Sequence, residues 1–294
     1  MTDMTDALEM CSFETGDGRL AYRDIGAGRP VVLLHGGFLD SGMWDDQLPA
    51  LTQNHRVIAP DARGHGASSN ATRAFRHTDD LAALLRHLDV GPAVLVGLSM
   101  GAATAVDTAL EHQGLVRALV VSGAGTSEPD FHDPWVKDVM AEQARALAAG
   151  DIEGWIDAFM LLGAAGPRRT LDDVDQDVVR RLREMAARTI AKHTGSEPDW
   201  QVPVSDTWAR AAKITVPVLA LSGAIDAQDQ IGMGERLVHS VAHGRAETID
   251  GTAHYPNMER PDAFNESLGA FLRTVAAQEG TEMRGGALAP PEEV

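Results

Sequence analysis

The chain has 294 residues, 44% of them hydrophobic and 23% charged, a balance typical of a globular protein that excludes a fibrous or disordered chain. Its 43 acidic residues outnumber 25 basic ones, and the formal net charge of -18 argues against binding to a nucleic acid backbone. The single cysteine, Cys11, excludes an intrachain disulfide and a metal site built from thiolates.

The sequence also bears on location and partners. The first residues are acidic and contain neither the basic nor the apolar segment of a secretion signal. No apolar run has the length of a membrane span. We therefore expect a cytoplasmic protein with no nucleic acid or membrane partner.

Strand and helix patterns alternate along most of the chain. Apolar or alternating runs predict strands at residues 11–15, 19–25, 31–34, 56–59, 93–96, 118–121, 216–221 and 246–249. Helical spacing of apolar residues predicts helices at residues 78–88, 104–112, 228–241 and 262–276, and Ser41 is expected to cap a further short helix. This alternation predicts a mostly parallel sheet with helices on both faces.

The alternation stops between residues 126 and 212. This stretch predicts helices near residues 136–149, 152–162 and 174–192 with no strand between them, and an insertion of that length is usually functional. The sequence therefore predicts a core made of residues 1–125 and 213–277. The end of the chain, residues 278–294, is rich in Gly, Pro and Glu and is expected to be a flexible tail.

The strongest chemical motif is Gly97-Leu98-Ser99-Met100-Gly101. It follows an apolar run typical of a buried strand and precedes an alanine-rich segment typical of a helix. A serine at such a turn is held in a strained conformation that pushes its hydroxyl out at the carboxyl end of the strand. Ser99 is therefore the candidate nucleophile, with a capping serine in an ordinary strand-to-helix turn as the alternative.

A serine nucleophile needs a base, and the base needs an orienting acid. Among eleven histidines, His254 lies in the loop between the last strand and the last helix, at the edge where Ser99 emerges. Asp226 lies in the turn after the preceding strand and is the candidate acid, with Asp229 in reserve. Asp250 is a weaker candidate because it is close to His254 in sequence.

The oxyanion of an acyl-transfer reaction needs amide donors. The N–H of Met100, directly after the candidate nucleophile, is one candidate. The N–H of Gly37, in the loop after the strand at residues 31–34, is the other. A glycine at that position can take whatever φ the geometry requires, and a simple tight turn is the alternative.

Together these features resemble the α/β-hydrolase superfamily, and within it the small bacterial esterases, haloperoxidase-like perhydrolases and enol-lactonases. The matching segments are His35-Gly36-Gly37 with Trp44 downstream, Asp61-x-Arg63-Gly64-His65-Gly66-x-Ser68, Gly97-x-Ser99-x-Gly101, Gly223-x-x-Asp226 and Gly251-x-x-His254. The resemblance implies an eight-stranded sheet with a helical cap at residues 126–212. It also implies structural roles for His35 and for residues 63–68. The chain order of serine, aspartate and histidine is that of α/β-hydrolases.

The resemblance implies a serine hydrolase that cleaves a carboxylic ester or lactone of a small, largely apolar substrate, without cofactor or metal. Ser99 argues against the relatives that use an aspartate nucleophile. Perhydrolysis, carbon–carbon bond hydrolysis and a receptor role without turnover remain alternatives. Candidate substrate-binding side chains, for which packing within the cap is the alternative, are Phe38, Met100, Trp155, Phe159, Met160, Trp200 and Tyr255.

Overall fold

The computed structural model describes residues 9–194 and 197–285, with side chains described through residue 278. An eight-stranded sheet with the spatial order β1-β2-β4-β3-β5-β6-β7-β8 forms its centre. The strands are β1 Cys11–Thr15, β2 Gly18–Ile25, β3 Arg29–Leu34, β4 His55–Pro60, β5 Ala93–Leu98, β6 Val116–Ser122, β7 Val218–Gly223 and β8 Gly244–Ile249. Only β2 runs antiparallel to its neighbours, so the predicted mostly parallel sheet is confirmed.

Helices cover both faces of the sheet. They are α1 Leu48–Leu51, α2 His77–His87, α3 Met100–Glu111, α4 Pro134–Ala149, α5 Ile152–Met160, α6 Gln176–Ile190, α7 Thr207–Arg210, α8 Gln228–Ser240, α9 Pro256–Glu259 and α10 Pro261–Gly285. Side chains from α2, α3 and α8 pack on one face, and those from α4, α5, α6 and α10 belong to the core on the other.

The central strands are apolar throughout because each contributes to both cores. In β3, Val31 and Leu33 join the core beneath α10, while Val32 and Leu34 join the core beneath α3. The same alternation holds in β5, β6 and β7, which are entirely or almost entirely buried. A continuous apolar run is therefore what a strand covered on both faces requires.

The long interval between β6 and β7 is helical, as the sequence predicts. It contains α4, α5, α6 and α7, and its described residues form no strand beyond a single bridge from Gln201 to Phe75. A π-helical turn, Leu161–Ala165, directly continues α5. The helices α4, α5 and α6 pack side by side and share the apolar core that lies over one face of the sheet.

Two local predictions differ from the structure. Asp40, not Ser41, caps the first helical turn: its extended backbone lets its carboxylate accept from the N–H of Gly42 at 2.9 Å, while Ser41 begins the turn. The last helix, α10, extends to Gly285, past the predicted end at residue 276, because good helix formers continue there. Residues 286–294 of the predicted flexible tail lie outside the described residues. Within the described chain, no helix is both long and apolar enough to span a membrane.

The backbone at the start of α3 packs directly against the backbone of β3 and β5. A Cβ atom added to Gly97 would lie 2.2 Å from the carbonyl oxygen of Gly101, and one added to Gly101 would lie 2.1 Å from that of Leu34. Backbone atoms cannot move aside as the end of a flexible side chain can. Glycine is therefore required at both positions for the helix to start where it does.

We expect Gly101→Ala to lower the free energy of unfolding by about 1–3 kcal/mol or more, because the added methyl overlaps backbone atoms. Gly114→Ala is the matched control, since a Cβ there meets no atom within 4 Å. It should leave stability unchanged or slightly higher. Urea unfolding of both variants measures the difference, and equal stability would contradict the packing argument.

Candidate active site

Ser99 occupies the sharp turn between β5 and α3. Its φ of 53° and ψ of -115° lie outside the regions that residues with a side chain ordinarily adopt. Its N–H donates to the carbonyl oxygen of Ser122 at 2.8 Å, which ties the turn to the end of β6. A strained serine in a strand-to-helix turn is the geometry of an exposed nucleophile, and the N-terminus of α3 behind it favours negative charge.

Asp226 and His254 form a buried pair after the neighbouring strands β7 and β8. Nδ1 of His254 lies 2.8 Å from Oδ2 of Asp226, and the two residues are 6% and 1% exposed. Oδ1 of Asp226 accepts a hydrogen bond from the N–H of Ala227 at 2.7 Å. Because the carboxylate accepts at Nδ1, the neutral ring carries its proton there and leaves Nε2 free to accept another.

The His254 ring is held between a glycine and an aromatic side chain. Gly123, directly after β6, has a φ of 64°, and a Cβ added to it would lie 2.3 Å from Cε1 of His254. The Tyr255 ring meets the imidazole edge to face, with centroids 5.3 Å apart. Any larger residue at position 123 would displace the ring, so this glycine sets where the imidazole lies.

Ser99 and His254 line the same cavity, which has a volume of about 200 Å³. Gly37 and Met100 also line it, and a Cβ added to Gly37 would lie 3.9 Å from Cβ of Met100. Among the described residues, neither the N–H of Gly37 nor that of Met100 has a hydrogen-bond acceptor. The two candidate oxyanion donors are thus neighbours, unpaired, and beside Ser99.

In the loop after β3, which carries Gly37, the strained residue is Phe38. Phe38 has a φ of 62°, whereas Gly37 is outside the left-handed region. The Phe38 ring packs against Trp155 and Phe159 of α5, with centroid distances of 4.4 and 5.9 Å. These aromatic contacts hold a residue that local preference disfavours, so the loop geometry depends on the inserted helices.

Buried polar residues hold the loop after β3, which carries Gly37, in place at its base. Nε2 of His35 accepts from the N–H of Ala62 at 2.9 Å, which joins the loop to the turn after β4. The carboxylate of Asp61 accepts from the N–H groups of Ser41 and Ala67 at 2.8 and 2.7 Å. His35 and the turn that includes Arg63 therefore have the structural roles that the family resemblance implies.

The His254 loop is also tied to the π-helical turn, a contact the sequence analysis does not predict. The N–H of His254 donates to Gly163 at 3.3 Å, and the N–H of Ala253 donates to the Glu259 carboxylate at 2.9 Å. Arg169 pairs with that carboxylate and donates to the Ala164 carbonyl at 2.7 Å. Burial raises the pKa of Glu259 above its ordinary value, although the Arg169 guanidinium opposes the shift.

The predicted substrate-binding side chains are divided by the structure. Phe38, Met100, Phe159 and Tyr255 line the cavity shared by Ser99 and His254. Trp155 does not line this cavity but stacks on Phe159, which does, with ring centroids 5.4 Å apart. The remaining two predicted residues lie elsewhere: Met160 is fully buried in the core, and Trp200 lines a separate cavity.

The other candidate acids and histidines have partners away from this site. Oδ2 of Asp229 accepts from the N–H groups of His132 and Asp133, both at 2.8 Å, and Asp250 is exposed. The His193 imidazole is hydrogen-bonded to the carbonyl oxygen of Gly64 at 2.9 Å. Asp226 is thus the carboxylate that reaches His254.

A second cavity of about 240 Å³ also opens at Ser99. Phe131 and Gln230 line both cavities, and the sequence analysis singles out neither residue. The second cavity continues along α3 as far as Asp107, another residue not predicted for the site. An aspartate within the alanine-rich face of a helix was the sequence signal for it, because carboxylates are rarely buried without a purpose.

Known proteins match most of the chain. The chain is 25% identical over 262 residues to 3-oxoadipate enol-lactonase 2 of Acinetobacter baylyi, covering 87% of this chain and 94% of that protein. It is 29% identical over 261 residues to the pimeloyl-acyl-carrier-protein methyl ester esterase of Vibrio cholerae, covering 86% and 97%.

The crystal structure of an enol-lactonase from Burkholderia xenovorans matches with a TM-score of 0.75 at 25% identity, covering 90% of this chain and all of that one. The model of one family, described as the alpha/beta hydrolase family, matches residues 31–267. This match includes the serine turn, the aspartate and the histidine. The protein belongs to the alpha/beta hydrolase family.

Proposed function

We propose that the protein is a serine hydrolase that cleaves a carboxylic ester or lactone through an acyl-enzyme. The observation that carries this proposal is that Ser99, in its strained turn, shares a cavity with His254, whose Nδ1 is paired with buried Asp226. The unpaired N–H groups of Gly37 and Met100 at the same cavity add to its support.

The proposed reaction begins with attack of the Ser99 hydroxyl oxygen on the substrate carbonyl carbon. Nε2 of His254 takes the hydroxyl proton, and the Asp226 carboxylate stabilises the imidazolium. The N–H groups of Gly37 and Met100 donate to the oxyanion. The imidazolium then protonates the departing alkoxide as its bond to the acyl carbon breaks.

Water completes the cycle. His254 accepts a proton from the water molecule as its oxygen bonds to the acyl carbon, and the bond to the Ser99 oxygen then breaks. The imidazolium returns its proton to that oxygen, and the carboxylic acid leaves. A lactone follows the same steps, except that its leaving alcohol stays attached to the acyl group.

The substrate class follows from the relatives and from the cavity. Two of the relatives above are enol-lactonases and one is a methyl ester esterase. The cavity of about 200 Å³ is lined by Phe38, Phe159, Leu162 and Tyr255, which suits a small, largely apolar group. Residues 126–212 would form the cap over this pocket, since α5 supplies Phe159 and supports Phe38.

We expect Ser99→Ala to lower kcat for a chromogenic short-chain ester by about three orders of magnitude or more, because the acyl-enzyme cannot form. Labelling by a fluorophosphonate should be lost as well. Ser12→Ala, at an exposed serine of β1, is the control and should keep both properties. Thermal melting checks that the fold is intact. Undiminished turnover by a folded Ser99→Ala variant would exclude Ser99 as nucleophile.

We expect Asp226→Asn to lower kcat by about 10³–10⁴-fold, because an amide opposite Nδ1 favours the wrong histidine tautomer. Asp229→Asn should lower kcat by less than about tenfold. Asp229 accepts hydrogen bonds from two backbone N–H groups, and an amide oxygen can accept them as well. Steady-state kinetics on the same ester compares the two. A severe loss of kcat in Asp229→Asn together with a mild loss in Asp226→Asn would identify Asp229 as the residue that orients His254.

A further inference from the structure

The second cavity at Ser99, called the α3 chamber here, ends at a buried carboxyl group. It has a volume of about 240 Å³ and is lined by Ser99, Gln230 and Asp107, among others. Asp107 is 3% exposed, and its Oδ1 has no hydrogen-bond partner among the described residues. A buried carboxylate oxygen without a donor is costly, so a ligand group that donates a hydrogen bond to Asp107 would be favoured.

The basic side chains nearby are engaged by a different carboxylate. Arg76, which also lines the α3 chamber, lies 3.5 Å from Glu111, and Arg210 lies 2.5 Å from the same residue. Glu128 accepts from the N–H and hydroxyl of Thr207 at 2.9 and 2.8 Å. Asp107 is thus the acidic residue of this region whose oxygen remains unpaired in the described structure.

The Asp107 carboxylate is suited to bind a hydrogen-bond donor of the ligand, not an acceptor. Burial raises its pKa to about 6, although hydrogen bonds from the Ser127 hydroxyl and N–H lower it, and Glu128 and Glu111 raise it further. The group is therefore mostly ionised at neutral pH, and an ionised carboxylate only accepts hydrogen bonds.

We propose that Asp107 is a specificity-determining residue that accepts a hydrogen bond from a hydroxyl or ammonium group of the substrate, bound in the α3 chamber while the scissile carbonyl lies at Ser99. The inference rests on the proposed function. In this arrangement, the apolar part of the substrate binds in the cavity beside His254, and its polar end binds in the α3 chamber.

The helix sets the length of that part of the substrate. Ser99 directly precedes α3 and Asp107 lies within it, so the helical rise separates the two residues by about 12 Å. Side chains on a helix lean toward its N-terminus, so the carboxyl oxygens lie closer to Ser99 than this. A straight chain with its polar group about six bonds from the carbonyl carbon fits, since an extended chain advances about 3.5 Å per three bonds.

The experiment compares matched methyl esters by acid release. Methyl 6-hydroxyhexanoate and methyl 6-aminohexanoate are each compared with methyl heptanoate, which has a methyl group in place of the donor. 4-Hydroxybutyl butyrate against pentyl butyrate places the same difference, also six bonds from the carbonyl carbon, on the alcohol side. The enzymes are wild type, Asp107→Leu, Asp107→Asn and the control Asp172→Leu, which makes the same change at an exposed aspartate.

In wild type, we expect kcat/KM for the hydroxyl or ammonium ester to exceed that for its methyl counterpart in one of the two series. Asp107→Leu should lower this ratio about tenfold or more, as loss of a hydrogen bond to a charged group predicts. Asp107→Asn should lower the ammonium ratio more than the hydroxyl ratio, because an amide oxygen accepts without charge. Asp172→Leu should leave every ratio at its wild-type value.

The inference is overturned if Asp107→Leu leaves the ratio of kcat/KM between donor and methyl esters unchanged in both the acyl-side and the alcohol-side series. The same holds if kcat/KM falls equally for donor and methyl esters. Equal loss would mean that Asp107 only supports the fold. If Asp107→Leu does not fold, the ammonium ratio in Asp107→Asn decides, and an unchanged ratio there overturns it. A wild type that hydrolyses none of these esters would instead count against the proposed function, so the two failures are distinguishable.

Discussion

The candidate active site depends on the close approach of the α3 N-terminus to β3 and β5. Glycines at 97 and 101 allow backbone to touch backbone there, and Ser99 between them has a strained φ of 53°. The same approach brings the Met100 N–H beside the loop of Gly37. One packing constraint thus supplies both the raised hydroxyl and the place where an oxyanion would be stabilised.

Around this contact, polar groups are buried in pairs at the carboxyl ends of the strands. Asp226 holds His254, and the loop carrying His254 is itself held by Glu259, which Arg169 of the insertion engages. The inserted helices therefore do more than cover the sheet. Through Phe38 and Arg169, they contact both the loop of Gly37 and the loop of His254, so their position is coupled to the geometry of the candidate site.

Much of the fold and of the proposed triad was predictable because both follow from local rules. Apolar runs predict strands, and functional residues follow strand ends in a parallel sheet. Predictions failed where a contact distant in sequence overrode local preference. Trp200 lines a separate cavity because its segment pairs with Phe75, and Met160 is fully buried in the core instead of lining the cavity at Ser99.

The sequence by itself determined the order of strands and helices, the glycines of the serine turn and the order of serine, aspartate and histidine, since each is written in neighbouring residues. Only the tertiary structure decided which side chains share a cavity. In the sequence, Asp107 is one polar residue in a predicted helix. Its burial and its unpaired oxygen follow only from the packing of α2, α3 and α8. Burial and pairing are properties of the whole chain, because they depend on residues brought together from distant positions.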